Sequence, residues 1–402
     1  MIKAISRYSL LACAGGVFGL MAHAGAAPAS VESKAGPVKV ESLAKLDNPW
    51  GMTFLPDGRL LITEKPGRLR VFADGKLSEP IGGVPEVAYR QQGGLLDVQI
   101  DPKFADNKLV YLSYAEPAQQ QPAGAKDEID PRLGTFFKAD DPQLKGGAVA
   151  RARLDGNNLV DLKVIWRQVP KTIGRGHFGG PMVFAPDGKL FILSGERQRF
   201  EPAQDPKSNL GKVVRINPDG SLPDDNPFAK QAGGLPDVYT IGNRNPLGGA
   251  IEPNSGKLWI HEMGPKGGDE LIMVEPGKNY GWPVVAEKAA HYNDAPIPGH
   301  DTKSDFTPPA LAWTPVISPS GMIFYQGSMF PAWKGSALIG GLSSKALVRV
   351  TVDGPKAVEA ERLDMTLRVR DVVEAPDGAV LLLSDGKDAE LLRLTPGGAK
   401  GE

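Results

Sequence analysis

The chain has 402 residues with 49 Gly and 36 Pro, so roughly a fifth of it disfavours helix, and a turn-rich all-β fold is expected. A hydrophobic share of 41% with 23% charged residues is ample for a sizeable core. The 46 Lys and Arg against 47 Asp and Glu give a net charge of −1, which excludes nucleic-acid binding and electrostatic recruitment to an anionic membrane.

The first residues are of a different kind. Lys3 and Arg7 precede an apolar stretch from Leu10 to Met21, and Ala22-His23-Ala24 supplies a small-x-small cleavage pattern. This reads as a signal peptide over residues 1–24, too short in its apolar run to be a membrane span. Leu10-Leu11-Ala12-Cys13 also permits a lipoprotein reading, which would cut that run short. Cleavage after Ala24 removes Cys13, the only cysteine, so the mature chain has no disulfide, thiolate metal site or Cys nucleophile. No later apolar run is long enough to insert into a bilayer, and a periplasmic or secreted protein is expected. Residues 25–47 read as an N-terminal linker and 397–402 as a C-terminal tail.

Between them one pattern recurs. Met52 to Glu64 is an alternating strand, a Pro-Asp-Gly turn and a second strand; Met182 to Glu196, Gly249 to Glu262 and Val372 to Asp385 repeat it. Asp97 to Tyr114 and Met322 to Gly341 are copies with longer turns. Tight Asp-Gly and Asn/Ser-Gly turns between β-rich runs are strong hairpin signals. Second, more amphipathic pairs follow at Arg68–Leu77, Val149–Leu159, Val213–Leu222 and Leu347–Val358, each around an Asp-Gly. Two hairpins per unit make four antiparallel strands, and six such units over residues 48–396 predict a single six-bladed β-propeller. Averaged over the 378 residues left after cleavage, each unit has about 63 residues where a WD-type blade needs roughly 40–45, so the surplus lies in loops. The longest, residues 116–147, lacks strand periodicity and reads either as a solvated excursion or as a flap over a site.

In a hairpin, the start of the first strand and the end of the second lie opposite the turn. With six hairpins set radially, those flanks meet on one face. They include Gln91-Gln92, Arg175-Gly176-His177, Asn243-Arg244-Asn245, Trp313-Thr314, Arg368-Val369-Arg370, Glu64, Glu196, Glu262 to Pro265, Ser343-Ser344-Lys345 and Asp385. Arg244, Arg368, Arg370 and Lys345 on one face would repel one another unless a polyanion filled the space between them. His177 sits among Gly174, Gly176, Gly179 and Gly180, with little side-chain bulk to bury it, and is the candidate general base. His261 has no partner at metal-ligand spacing and reads as a core or surface residue. Gly264-Pro265-Lys266-Gly267-Gly268-Asp269-Glu270 offers exposed carbonyls with acidic side chains, which suits calcium or else a tight loop facing water.

Five ordered motifs, QQGGLLDVQIDPKF, GHFGGPMVFAPDGKLFILSGE, IGNRNPLGGAIEP, HEMGPKGGDELIMVEPGKNYGWPVV and RVRDVVEAPDG, resemble the soluble quinoprotein sugar dehydrogenases, and most closely the bacterial periplasmic aldose sugar dehydrogenases. The resemblance runs from about Asn48 to Leu394. It implies a propeller that holds pyrroloquinoline quinone (PQQ), a tricarboxylic acid, together with Ca2+, and oxidises an aldose at its anomeric carbon to the lactone, with a periplasmic cytochrome or quinone taking the electrons. By the same resemblance His177 is the base, Arg244 with Asn245 beside it stabilises charge on the quinone oxygen, and Gln92, Arg368 and Arg370 bind the cofactor rim. The carbonyls of Gly264 and Pro265 would ligate a calcium at the cofactor, Glu270 and the Tyr280 main-chain oxygen a second calcium, and Trp313 would line the sugar pocket. The chain departs from the pattern at Ser343, where a lysine is usual and for which Lys345 is the nearest substitute, and at Gly176, where an acidic residue often precedes the base. Two rival readings use the same fold: a calcium-dependent lactonase built on Glu64, Glu196, Asn245 and Asp385, and a non-catalytic binding propeller like the hedgehog-interacting proteins.

Overall fold

The computed structural model describes residues 27–135, 137 and 139–398, so the expected leader over 1–24 lies outside the described residues, as does most of the tail. All six expected hairpins form, and each supplies the two inner strands of one small antiparallel sheet. Blade 1 is Pro49–Phe54, Leu60–Glu64, Arg68–Ala73 and Lys76–Leu77; blade 2 is Leu95–Ile100, Leu109–Pro117, Leu144–Asp155 and Asn158–Arg167. Blade 3 is Gly179–Phe184, Leu190–Ser194, Lys212–Ile216 and Val238–Ile241, and blade 4 is Pro246–Ile251, Leu258–Glu262, Asp269–Met273 and Leu311–Trp313. Blade 5 runs Pro319–Phe324, Ala337–Gly341, Ala346–Asp353 and Lys356–Asp364. The six sheets form a six-bladed β-propeller. Among the described residues no helix is long and apolar enough to cross a membrane.

Two expectations are corrected here. Residues 25–47 are not a linker: Gly36–Leu46 pairs antiparallel with Ala389–Pro396, and Ser30–Ser33 pairs with it in turn. Blade 6 is thus Val369–Glu374, Val380–Ser384 and Ala389–Pro396 completed by the N-terminal strands, which close the ring. The alternation of Val38 and Val40 with exposed neighbours was the strand signal, overlooked because its hairpin turn, Lys34-Ala35, carries no Asp-Gly or Asn-Gly pair. The Asp219-Gly220 turn also fails to join two strands of blade 3, whose fourth strand begins only at Val238; Gly220 instead closes a tight turn onto Asn217.

Apolar side chains are buried mainly at the six junctions between neighbouring blades. Leu61, Leu95 and Leu112 pack between blades 1 and 2, and Leu338, Leu347, Val372 and Leu382 between blades 5 and 6. Blade walls that each face a neighbour need no separate core, so the ring is stabilised only when every junction is filled. The innermost strand of each blade has a register irregularity near the end opposite its tight turn, as at Pro49/Met52, Leu95/Val98, Gly179/Met182 and Val369/Asp371. Such bulges re-aim side chains and release backbone N–H groups. Buried carboxylates accept two of those groups: Asp97 Oδ2 accepts from Met182 N at 2.7 Å, and Asp371 Oδ2 from Met52 N at 2.9 Å, each across a blade boundary.

Candidate active site

The flank argument holds in three dimensions. A cleft of about 180 Å³ on the ring axis is lined from all six blades: Trp50 and Lys65, Gln92, Phe178 and Gly179, Leu247 and Met263, Ser318 and Leu342, and Arg368 and Arg370. It opens into an axial channel with which it shares Trp50, Leu247 and Arg370.

His177 stands at the rim, next to Phe178, with a left-handed backbone (φ 49°) and only 3% of its surface exposed. Its backbone N–H donates to Gln92 Oε1 at 2.7 Å and its carbonyl accepts from Arg197 N at 3.1 Å. A side chain at Gly195 would put Cβ 2.2 Å from that carbonyl, so glycine is required for the close approach. The imidazole Nδ1 is bonded to the carboxylate of Glu196, which is itself fully buried and also accepts from Phe200 N at 2.8 Å. Burial opposes ionisation of Glu196, but His177, Arg244 and that backbone N–H outweigh it and hold its pKa below the ordinary value. An ionised carboxylate only accepts, so Nδ1 carries the proton and Nε2 keeps its lone pair. Burial, then the Arg244 charge, lowers the pKa of His177, which keeps the ring neutral at neutral pH. Sequence reading placed Glu196 on the correct face yet gave it no partnership with His177, because the two are 19 residues apart.

Arg197 buttresses this corner. Its guanidinium is buried, donates to the carbonyls of Gly176 (2.9 Å), Lys145 (2.9 Å) and Gly174 (2.6 Å), and stacks 3.8 Å from the Phe178 ring centroid. The side chain of Gln198 fills the place where one at Gly176 would project, which accounts physically for the glycine there.

Arg244 borders a small adjoining cavity whose wall it shares with Glu262, Met263, Gly264, Glu270, Tyr280 and Trp282. Its backbone N–H is bonded to Glu262, its Nη1 donates to Met263 O at 2.7 Å and Gly264 O at 3.2 Å, and its Cζ lies 5.0 Å from the Trp282 ring centroid. Its Nε is buried with no hydrogen-bond partner among the described residues, a donor left for a ligand. Asn245 is buried beside it and accepts from Gly179 N at 3.2 Å. Arg368 and Arg370 both bind Asp385, at 2.8 Å each, and hold its carboxyl well below the usual range despite burial.

Glu270 and Tyr280 both line the small cavity. Burial first, then the charge of Glu262, pushes the pKa of Glu270 well up, and burial pushes Glu262 up to about 7. Two carboxyl groups that cannot both ionise without a counter-charge, beside a carbonyl, make a donor set that fits a hard divalent cation. The Tyr280 carbonyl also accepts from His300 Nε2 at 3.1 Å, a contact the sequence did not reveal. The Gly264 carbonyl already accepts from Arg244, so a cation ligated there would share that oxygen with a guanidinium; Pro265 is buried beside it. Among the described residues no three His, Cys, Asp or Glu side chains form a metal-binding group, so any cation relies on carbonyls as well.

Two candidates are not brought to the site. Trp313 is buried at the junction of blades 4 and 5, with its indole N–H donating to Glu359 at 2.7 Å; it lies on the outermost strand of its blade, away from the cleft. Lys345 is exposed on the turn after blade 5's second strand and does not line the cleft, because the turn's left-handed backbone (φ 52° at Lys345) carries it outward. His261 is fully buried, in line with a core role. The carboxylates of the lactonase reading are scattered: Glu64 pairs with Arg68 and Arg70, Glu196 with His177, and Asp385 with Arg368 and Arg370.

The excursion within 116–147 is solvated in part, with residues 119–124 exposed, but its later half is docked. Leu133 is buried with Phe200, Trp282 and Ile297, Arg132 lies 3.9 Å over the Phe200 ring, and Phe137 meets Tyr292 edge-on at 5.2 Å. It docks on the loops that surround Arg244.

A propeller with a buried imidazole–carboxylate pair at the rim of a cationic axial cleft is the architecture of an enzyme, not of a passive binding ring. The sequence model of the glucose/sorbosone dehydrogenase family matches residues 46–393, and the chain belongs to that family of oxidoreductases. It is similar to the aldose sugar dehydrogenase YliI of Escherichia coli, with 40% identity over 89% of this chain and 93% of that one. Among solved structures, the soluble aldose sugar dehydrogenase of E. coli in its apo form superposes with a TM-score of 0.79 (37% identity, 90% of this chain and 100% of that one). The PQQ-bound aldose sugar dehydrogenase of Streptomyces coelicolor gives 0.70 (27% identity, 92% and 99%).

Proposed function

We propose that this enzyme oxidises aldose sugars at the anomeric carbon to the lactone, using PQQ in the axial cleft and passing electrons to an external acceptor. The observation that carries the reading is the His177–Glu196 pair beside a cleft whose charged side chains are cationic. Lys65, Arg368 and Arg370 face it, and only Asp385 offsets them. That excess suits a tricarboxylate, and the flat walls of Phe178 and Trp50 suit a planar ring system. PQQ, when bound, supplies the two-electron centre that takes the hydride from the sugar.

The chain's own residues do the rest. His177 Nε2, unprotonated because Nδ1–H is given to Glu196, accepts the proton of the C1 hydroxyl as the sugar loses its hydride. Glu196 fixes the ring orientation and stabilises the imidazolium that forms. Arg244, whose carbonyl accepts from Glu196 N and whose Nε donor is free, would stabilise negative charge that grows on the cofactor as the sugar is oxidised. Glu270, Glu262 and the Tyr280 carbonyl would hold a structural calcium ion, and the Gly264 and Pro265 carbonyls a second one near the cofactor, where it would act as a Lewis acid. The N-terminal leader supports a periplasmic or secreted site of action, with a periplasmic cytochrome or quinone as the acceptor.

Reconstitution tests this. Purified protein is titrated with PQQ and calcium while absorbance is followed, then glucose and a dye acceptor are added. Stoichiometric uptake with sugar-dependent reduction is expected; no uptake at micromolar PQQ would overturn the reading.

A further inference from the structure

Lys65 is the first residue after the second strand of blade 1, one position beyond Glu64. The pairing of Glu64 with Arg68 and Arg70 turns that carboxylate away from the axis, and the next side chain takes the opposite side. Lys65 therefore lines the cleft with Gln92, Arg368 and Arg370. Its ammonium donates to the Gln91 carbonyl at 2.6 Å and lies 5.9 Å from the Tyr89 ring centroid. No carboxylate among the described residues pairs with it. Asp385, the one acidic group acting on it, is already bound by Arg368 and Arg370. Burial, then the repulsion of Arg370, brings the ammonium's pKa down to about 8, so this group sits where its charge is not satisfied.

A strongly hydrated ammonium gains nothing from such a place unless an anion completes its shell. Two of its N–H donors remain after the bond to Gln91. Arg368 and Arg370 approach from blade 6, and Lys65 from blade 1. We infer that Lys65 is a cofactor-binding residue that donates to a carboxylate of the bound quinone, closing from blade 1 a cationic clamp whose other arm is Arg368 and Arg370. The inference rests on the PQQ reading above.

Equilibrium titration with PQQ, followed by absorbance and intrinsic fluorescence in the presence of calcium and without sugar, separates the outcomes. Lys65→Met, which keeps the stem and removes the charge, is expected to bind PQQ about ten- to hundred-fold more weakly than the wild type at unchanged melting temperature. Lys65→Arg is expected to restore most of the affinity, and the loss in Lys65→Met to shrink at high salt. Wild-type affinity in Lys65→Met would overturn the inference. Equal losses in both variants with a lowered melting temperature would also do so, by showing that Lys65 only tethers the Gln91 loop. A wild type that takes up no PQQ would instead overturn the cofactor reading itself.

Discussion

The Nδ1 of His177 and the carboxylate of Glu196 form a buried ion-pair-capable hydrogen bond in which the acid, not the base, holds the charge at rest. The arrangement leaves Nε2 as the open position of the ring, and it depends on Glu196 staying ionised. Replacing Glu196 by Gln frees the imidazole to take the wrong tautomer. Glu196→Gln should lower kcat by about 10²–10⁴-fold while PQQ uptake is retained. Steady-state kinetics alongside PQQ titration checks this, and a near-normal kcat would show that the tautomer is fixed by something else.

The pH profile follows from the same pair. With the His177 pKa below its usual value, the neutral base persists as pH falls through about 6.5. We expect kcat/KM to stay level between pH about 8 and about 6.5 and to decline only on further acidification. A decline already complete by pH 7 would contradict the shift.

Arg244 is predicted to act on the reaction more than on binding. Arg244→Ala should cost about 3–4 kcal/mol of transition-state stabilisation, the usual worth of a pre-placed donor. Turnover of the PQQ-loaded enzyme at saturating sugar measures it. A loss confined to KM would assign the residue to substrate binding instead.

Glu270→Gln removes a carboxylate from the proposed calcium cavity without emptying the space. Calcium at hundredfold excess over its dissociation constant stabilises a protein by about 2.7 kcal/mol. Thermal melts with calcium and with a chelator should show a clear upward shift in the wild type and little in Glu270→Gln. Equal shifts in both would place the ion elsewhere.

The two blade-bridging acids give the ring a pH dependence of its own. Burial lifts Asp97 to about 7, and burial with the Asp97 charge lifts Asp371 well above the carboxylate range. A carboxyl whose folded pKa is raised stabilises below its unfolded pKa and loses that contribution as pH rises through the folded one. Stability should therefore fall by about 1–2 kcal/mol between pH about 6 and about 8.5. Asp371→Asn still accepts from Met52 N and should flatten that slope, as read from urea midpoints at the two pH values. An unchanged slope would acquit the pair.

Much of this was legible in the sequence because hairpin turns are local. A turn such as Pro-Asp-Gly between alternating runs fixes two strands, and six hairpins fix which flanks share a face; Gln92, His177, Arg244, Arg368 and Arg370 follow directly. What was not legible depended on long-range closure or on single-residue parity. The Gly36–Leu46 strand finds its partner more than 340 residues away in Ala389–Pro396, with no turn to announce it. Lys65 was passed over for Glu64, although adjacent residues of an extended chain face opposite ways. Trp313 and Lys345 were misplaced because an outer strand and a turn with left-handed backbone obey neither the flank rule nor simple alternation. The His177–Glu196 bond needs two loops to meet, which spacing alone does not encode.

The seam in blade 6 ties the order of synthesis to the state of the whole ring. Gly36–Leu46 emerges first, yet the backbone partners it needs are nearly the last to be made, and Gly397 N donates to Pro37 O at 2.7 Å when they arrive. Until then the nascent chain carries a front hairpin with one open edge and an open wall at the back, both of them adhesive edges. Ala389–Pro396 thus acts as a latch: no earlier strand can complete the circle, and the axial cleft, to which every blade contributes, exists only once the latch has closed.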